Sequence, residues 1–320
     1  MKNKLILAIL LTVFTISASA CQTQREQTTI QDGNSISEDS NADSSDTTDN
    51  GSSNDNNAST DLTDSEDSAA SDVSSAEETF VMEEQTLLEY EGLTLKALSW
   101  DSEAASLKIQ AENSSDADYI VQLINTSVND FMMESSFSMN VNAAAQSEKD
   151  AEFSVADLES CEIKNVTEIQ TQILLLNSVS FETLYTSDII TMQTGDPSAQ
   201  QEYDESGDVL YEQNGLIIRS HGFTDDSNLG KLWKLYISNN SGQDFCFYSP
   251  DVTLNNSTMD VLFSVTVPDG KKAVASMTIF KEDLDKYQIT DITSAQLTLQ
   301  LQDPETFDTI QTIDNLSLEF

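Results

Sequence analysis

The sequence predicts an all-β protein of two tandem antiparallel β-sandwiches, which follow a signal peptide and a disordered linker. Three observations lead to this prediction. Apolar and polar residues alternate with a period of two in many short runs, which is the pattern of half-buried strands. The pattern occurs twice at one constant spacing, which indicates a duplication. The first 80 residues differ in composition, with an apolar start and a long stretch rich in Ser, Asp and Asn.

Residues 1–20 have the layout of a secretory signal peptide. Lys2 and Lys4 precede the apolar run LILAILLTVF, and the small residues TISASA follow it. The apolar run is well short of the roughly 20 residues that a membrane-spanning helix needs. The stretch ASAC, which ends at Cys21, resembles the lipobox of bacterial lipoproteins. This resemblance implies cleavage between Ala20 and Cys21 and a lipid on the Cys21 thiol, and the alternative is an ordinary cleavage near Ala20.

Residues 21–80 are predicted to form a disordered tether. The stretch EDSNADSSDTTDNGSSNDNNASTDLTDSEDSAASD has no aromatic residue and almost no large aliphatic one. Such a segment cannot bury enough apolar surface to offset the entropy of ordering its backbone. As a neutral flexible coil it would span roughly 40 Å, and its charge should extend it further. A calcium-binding tract is the alternative, but the acids lack the order of an EF-hand loop.

The composition also limits the partners and the redox chemistry. The formal net charge of −42 argues against nucleic-acid binding through a basic surface, and against electrostatic docking to anionic lipid. Besides Cys21, the chain has Cys161 and Cys246, which are too few for a disulfide-stapled domain. We expect two free thiols, because the two residues occupy non-equivalent places in the repeat. A disulfide between them is the alternative.

The repeat defines two copies, at residues 81–194 and 209–320, with a polar linker at 195–208. LKIQAENSSDADYIVQLINTSVND in the first copy matches WKLYISNNSGQDFCFYSPDVTLNN in the second. Asn113 and Asn239 are 126 positions apart (239 − 113), and this offset holds to the end of the sequence. Upstream, Gly92 and Gly215 are 123 apart (215 − 92). A three-residue insertion in the loop TDDSNLGK explains the change.

Each copy is predicted to be a sandwich of about seven short strands with immunoglobulin-like architecture. In the first copy the alternating apolar positions include Leu93, Leu95, Ala97, Leu107, Ile109, Ala111, Tyr119, Val121 and Leu123. In the second copy they include Trp233, Leu235, Ile237, Phe245, Phe247, Leu297, Leu299 and Leu301. The segments VADLESCEI and KEDLDKYQI break the alternation and predict one helical turn per copy. A closed barrel is the alternative architecture.

The sequence shows no constellation of residues for catalysis, a cofactor or a metal ion. His221 is the single histidine, and a zinc site would need several Cys or His at ligand spacing. No nucleophile elbow and no phosphate-binding glycine loop is present. We therefore predict no catalytic residue, no cofactor-binding residue, no metal site and no enzymatic activity.

Several other residues are interpreted as structural. Four asparagines at matched positions are predicted to be turn formers: Asn113, Asn239, Asn129 and Asn255. Trp100 and Trp233 lie on or beside strands and are predicted to pack in the core. Met132, Met133 and Met139 are predicted to fill a core edge, with an adaptable binding surface as the alternative.

The layout resembles Gram-positive surface lipoproteins that carry a lipobox, a polar spacer and immunoglobulin-like modules. The landmarks here are Asn214-Gly215, the ENSS that begins at Glu112, and Asp157-Leu158 followed by Ile163. The resemblance implies a lipid-anchored protein on the extracytoplasmic side of the cell membrane. We expect a non-catalytic interaction module whose partner is a surface protein or a wall polymer. The alternatives are a small-ligand or cation-binding lipoprotein and an accessory subunit of an envelope enzyme.

Substitution of Cys21 tests the lipid anchor. Two acyl chains anchor a protein stably, whereas an unmodified chain of this charge has no affinity for an anionic bilayer. We expect Cys21→Ala to move the protein from the membrane fraction to the soluble fraction, as measured by fractionation and immunoblotting. Retention of the variant at the wild-type level would contradict lipid anchoring at this residue.

Overall fold

The chain folds into two tandem antiparallel β-sandwiches of immunoglobulin-like architecture. The structure is a computed structural model that describes residues 80–200 and 202–320. The predicted signal peptide, almost all of the predicted tether and the residues Ala20 and Cys21 lie outside the described residues. The described residues lie within one compact unit. Among them, no helix has the length and the hydropathy needed to cross a bilayer.

The first copy has two separate sheets, which excludes the closed barrel for this copy. Its elements are β1 (Gln85–Tyr90), β2 (Leu93–Asp101), β3 (Ser106–Asn113), β4 (Tyr119–Val128), β5 (Phe131–Met132), β6 (Ser138–Val141), β7 (Ala145–Glu152), α1 (Val155–Ser160), β8 (Glu168–Asn177), β9 (Thr183–Thr186) and β10 (Ile190–Gln193). One sheet has the order β1-β2-β3-β7. In the other sheet, β4 pairs with β8 on one side and with β5 and β6 on its other side. Strands β9 and β10 both pair with the far side of β8.

The second copy begins after a short 3₁₀ turn at Pro197–Ala199. Its elements are β11 (Asp208–Gln213), β12 (Leu216–Asp226), β13 (Gly230–Asn239), β14 (Phe245–Tyr248), β15 (Asp251–Leu254), β16 (Ser257–Leu262), β17 (Ser264–Val267), β18 (Lys271–Phe280), α2 (Lys281–Tyr287), β19 (Ser294–Gln302) and β20 (Thr309–Glu319). One sheet has the order β11-β12-β13-β18, and β14, β15, β17, β19 and β20 form the other. β16 pairs with strands of both sheets.

Most elements of the two copies correspond at the offset that the repeat predicted, but β4 spans the positions of both β14 and β15, and β20 spans those of both β9 and β10. β4 begins at Tyr119 and β14 at Phe245, which is the predicted offset of 126 (245 − 119). The same offset relates the start of α1 to that of α2, so both predicted helical turns are confirmed. The three-residue insertion falls in the hairpin turn between Asp226 and Gly230.

The alternating apolar residues form the two cores, as predicted. Leu93, Leu95 and Ala97 on β2 are buried, and the lysine and threonine between them are not. The indole of Trp233 is fully buried, and its Nε1 donates a hydrogen bond to Ser220 Oγ at 2.8 Å. Burial of one face of each strand is the main source of stability in such a sandwich.

Asn113 and Asn239 make the same hydrogen bonds in the two copies, which confirms them as turn formers. In each case Oδ1 accepts hydrogen bonds from the backbone N–H and the hydroxyl of the serine two residues later. Each Nδ2 donates to two backbone carbonyls, one of them four residues along the chain. Both side chains are buried, so these bonds satisfy polar groups that would otherwise destabilise the fold.

Asn129 and Asn255 have a larger structural role than the predicted turn former. Both adopt the left-handed conformation, each with a φ of 47°. The side chain of Asn129 bonds to the segment that leads into the neighbouring strand β8: Oδ1 accepts from the backbone N–H groups of Thr167 and Glu168, and Nδ2 donates to the carbonyl of Asn165. Asn255 makes the equivalent bonds to residues 291–294. Each asparagine therefore fixes the entrance to the long central strand β8 or β19.

The two copies share a packed junction. Tyr236 on β13 is fully buried and belongs to the core of the first copy, although it lies in the second. Tyr203 from the linker stacks on Tyr236 at 5.0 Å between ring centroids, and it contacts Phe131 at 5.1 Å. The hydroxyl of Tyr236 donates to Glu205 Oε1 at 2.8 Å. The linker is therefore part of this junction.

Backbone and ionic contacts strengthen the junction. The backbone N–H of Lys272 donates to the carbonyl of Asp130 at 2.9 Å, within the one parallel pairing, β5 with β18, in the described residues. The Lys271 Nζ lies 2.7 Å from Asp130 Oδ1, and its side chain is only 12% exposed. A partly buried ion pair of this kind is screened less by salt than a surface pair.

The role of Asn129 is tested by comparison with Asn125. Asn125 also has a positive φ, of 50°, but its amide contacts only the exposed side chain of Gln172. We expect Asn129→Ala to lower the free energy of unfolding by about 2–3 kcal/mol more than Asn125→Ala, because buried N–H groups lose their acceptor. Urea unfolding of the two variants measures the difference. Equal losses would show that backbone strain, and not the hydrogen bonds, accounts for the effect.

Candidate interaction surface

His221, the single histidine, lies in an aromatic stack at the junction. Its ring is nearly parallel to those of Tyr203 and Tyr236, with centroids 6.0 and 6.3 Å away. The Tyr203 hydroxyl lies 3.4 Å from His221 Nδ1. Burial, and then the charge of Lys234, lower the pKa of His221, so the ring is neutral at pH 7. The imidazole therefore packs beside the stacked pair of Tyr203 and Tyr236.

Two cavities of the described residues lack a reactive set of side chains. A cavity of about 10 Å³ at the junction, which includes Cys161, Asn165 and Tyr203 in its lining, has room for one water molecule. An open groove of about 310 Å³ lies against Phe223 and Asp291 in the second copy. Within residues 80–200 and 202–320, no three His, Cys, Asp or Glu side chains lie close enough together to hold a metal ion.

Cys161 and Cys246 are buried and unpaired with each other, as the sequence predicts. Burial is the main reason that the pKa of the Cys161 thiol is raised to about 12, and the nearby Asp157 adds to this effect. The thiolate is the reactive form of cysteine, so Cys161 is held in its unreactive form.

Among the described residues, the densest run of exposed large apolar side chains along the chain lies on the first copy. They lie in the β8–β9 hairpin and just after β9, where three of them are more than half exposed: Val179 (83%), Phe181 (67%) and Ile189 (58%). Leu184 and Tyr185 on β9 are also exposed. We call these five residues the apolar rim. Single exposed apolar residues are ordinary, whereas several in one short segment are typical of a contact surface.

The loop that carries Phe181 is fixed by Asn177. The Oδ1 of Asn177 accepts hydrogen bonds from the backbone N–H groups of Val179 and Ser180, each at 2.9 Å. Phe181 has a φ of 59°, and its N–H donates to the Asn177 carbonyl at 2.9 Å. A bulky residue in the left-handed region is strained, so local hydrogen bonds must hold it there. The aromatic ring is therefore presented to solvent from an ordered loop.

The second copy has the same loop but a more polar surface. Asp303 replaces Asn177 and accepts the equivalent bonds, from Glu305 and Thr306. Phe307, with a φ of 58°, and Ile310 match Phe181 and Leu184. The other three rim positions, Val179, Tyr185 and Ile189, are matched at the offset of 126 by Glu305, Gln311 and Asn315. The loop and hairpin form with polar residues at these three positions.

Tyr185 connects the rim to the body of the first copy. Its ring lies 5.7 Å from that of Tyr90 on β1, and Tyr90 makes an edge contact with Tyr119 on β4 at 6.3 Å. This row of tyrosines crosses from one sheet to the other. Rigid aromatic side chains lose little conformational entropy when a partner binds, which favours them in contact surfaces.

The rim lies in a strongly acidic part of the chain. No Lys or Arg occurs between Lys164 and Arg219, and Glu182 and Asp188 flank β9 directly. Asp118 lies at the base of the hairpin, where its carbonyl accepts a hydrogen bond from the backbone of Ser178 at 3.3 Å. The local field therefore favours a partner with positive charge.

The structure resolves the two interpretations of the methionines in favour of the core. Met133 and Met139 are buried in the first core, and Met132 packs against the second.

The sequence reasoning did not find the apolar rim. The signal that identifies it is the alignment of the two copies, in which NSVSFETLYTSDI matches DPETFDTIQTIDN and apolar residues oppose polar ones.

Comparisons with known proteins give no family for the chain. No family model matches the sequence, and no curated protein matches it. A crystal structure of the YadV chaperone covers 72% of this chain and 100% of its own, at 9% identity and a TM-score of 0.24. A structure of the Salmonella enterica SafA pilin in complex with the SafB chaperone covers 73% and 98%, at 11% identity and a TM-score of 0.23. Similarity at these scores carries no argument about ligand or partner.

The two loops should respond differently to acid. Hydrogen bonds from Thr306 and Glu305 lower the pKa of Asp303 below its usual value of 3.8, whereas Asn177 does not titrate. Because the folded-state pKa is lowered, the contribution of Asp303 is complete above the unfolded-state pKa and is lost as the pH falls through the folded-state pKa. We expect the amide resonances of Glu305 and Thr306 to shift on acidification below pH 4, and those of Val179 and Ser180 to stay in place. Parallel shifts at both loops would contradict this assignment.

Proposed function

We propose that this chain is a lipid-anchored, extracytoplasmic binding protein without catalytic activity, and that it docks a partner protein through the apolar rim of the first copy. The observation that carries the proposal is the exposure of Val179 and Ile189 where the second copy has polar residues. The second copy serves as an internal control for what the fold requires. Since the hairpin forms there with Glu305 and Asn315, folding does not account for Val179 and Ile189.

The location rests on the sequence. The small residues before Cys21 and the short apolar run favour export and lipid attachment. The acidic tether would hold the folded part several nanometres from the bilayer. The negative charge of the tether supports this separation from the bilayer, because anionic lipids and a polyanionic chain repel one another.

The reactive residues support a role in binding rather than in catalysis. His221 is neutral and packs beside a stacked pair of tyrosines at the junction. Cys161 is buried, with the pKa of its thiol raised to about 12. A catalytic nucleophile or base needs a pKa near the working pH and access to its substrate. The His221 ring and the Cys161 thiol therefore do not meet the requirements for a catalytic base or nucleophile.

Small-ligand binding is a second candidate, favoured by the groove in the second copy. Phe223 and Ile292 contribute an apolar surface to this groove, and Lys231 and Asp291 contribute charges of both signs. Its volume of about 310 Å³ is at the lower end for a small-molecule site, and it is open to solvent. A sugar, a peptide or calcium that binds there would raise the midpoint of thermal unfolding.

Site-specific photocrosslinking on intact cells tests the docking surface. One variant carries a photoreactive phenylalanine in place of Tyr185, in the rim. The other carries it in place of Gln311, which is the matched position in the second copy. We expect the first probe to give a discrete protein adduct and the second to give none, because only the first copy has the full rim. Adducts of equal yield at both positions, or none at position 185, would contradict docking through the rim.

A further inference from the structure

Strand β9 leaves one of its backbone edges without a partner strand. Its residues pair only with β8, and no other described strand pairs with it. The N–H of Ser187 donates to the carbonyl of Ile173, and Tyr185 lies opposite Leu175. Antiparallel pairs alternate between positions that exchange hydrogen bonds and positions that do not. The backbone groups of Thr186 therefore point away from β8, whereas the register shift interrupts the alternation at Leu184.

This edge lacks some of the features that usually protect an unpaired strand, although it is short and its register with β8 shifts between Leu175 and Leu176. Edge strands are commonly blunted by lysine, proline or an inward-pointing charge. The four residues of β9, Thr-Leu-Tyr-Thr, include none of these, and all four are exposed. The strand is about 13 Å long, which is enough for a few hydrogen bonds to an added strand. The edge is therefore chemically competent to pair with a further strand.

The apolar rim frames this edge. Leu184 and Tyr185 lie on β9 itself, where side chains alternate between its two faces. Phe181 precedes the strand and Ile189 follows it, and both are exposed. An added strand would pair with the backbone of β9 and cover these apolar side chains at the same time. Main-chain pairing supplies affinity in this mode, and side-chain contacts supply specificity.

The charge of the surroundings selects the added strand. Glu182 and Asp188 stand at the two ends of β9, and Lys164 and Arg219 are the nearest cations along the chain. Like charges directly opposite each other destabilise a strand pair, whereas opposite charges stabilise it. A second copy of this chain would bring two acidic rims together. The edge therefore disfavours self-association and favours a basic partner.

We propose that the partner protein supplies an extended segment with alternating apolar residues and flanking Lys or Arg, which adds to β9 as a new edge strand. This inference rests on the proposed function, since it names the chemistry of the partner that docks on the rim. A helical partner would leave the outward backbone groups of Thr186 without partners, and an acidic partner would meet Glu182 and Asp188 with like charge.

Peptide display on the full chain tests the proposal. A random 12-residue peptide library is panned on the detergent-solubilised protein. It is counter-selected on the variant Val179→Glu/Tyr185→Gln/Ile189→Asn, which carries the residues of the second copy. We expect the recovered peptides to have apolar residues at every second position and to carry Lys or Arg at their ends. Their affinity should fall at least tenfold between 50 and 500 mM salt, because exposed charges are screened.

Two further measurements test strand pairing itself. Thr186→Pro removes an outward N–H, and Thr312→Pro is the matched control, since both residues have the same register in their pairs. We expect the first variant to weaken peptide binding at least tenfold and the second to leave it unchanged. Methylation of alternate peptide nitrogens should weaken binding to the wild-type protein by a similar factor. This measurement uses only the wild-type protein, so its result does not depend on how either variant folds.

The outcomes separate this inference from the proposed function. Recovered peptides that are acidic or uncharged, or that bind equally well after nitrogen methylation, would overturn strand addition. If the probe at position 185 still gives its adduct in cells, the rim docks a partner in another way and the proposed function stands. Loss of that adduct would remove both proposals.

Discussion

In a two-layer sandwich each strand can bury only one face, and this constraint governs the structure of both copies. Leu93, Leu95 and Ala97 occupy the buried face of β2, so the residues between them are available to the surface. At the edge of a sheet the constraint relaxes further, and all four residues of β9 are exposed. An apolar residue on such a strand contributes little to folding. Its presence there is consequently informative about binding.

The duplication separates what the scaffold needs from what it carries. The four buried or turn-forming asparagines keep the same hydrogen bonds in both copies, including the left-handed backbone of Asn129 and Asn255. These are scaffold features. The rim positions differ between the copies, although Phe181 and Phe307 sit in loops of the same geometry. Through the junction around Tyr236, the first copy is packed against the second. A partner bound at the rim would therefore be held by a body of two sandwiches.

Local patterns were enough to predict the strands, the helical turns, the repeat offset and the buried tryptophan, because each depends on residues close in sequence. Three features depended on the assembled fold. Asn129 bonds to residues near 167, and nothing at position 129 shows which segment will lie beside it. Tyr203 lies in a polar linker, and its burial depends on how the two copies pack. The rim was missed because Val179 and Ile189 lie in the loops before and after β9, and the alternation pattern within strands does not reveal which loop residues stay exposed.

Docking through the rim requires that its exposed side chains serve binding and are dispensable for folding. The free energy of unfolding of Val179→Glu/Ile189→Asn, measured in urea on the otherwise intact chain, tests this most directly. Surface substitutions away from packing and hydrogen bonds usually change stability by less than about 0.5 kcal/mol each. A change of that size in the double variant would agree with the account. A loss of several kcal/mol, as in a buried-core substitution, would show that these side chains hold the sandwich together and would contradict it.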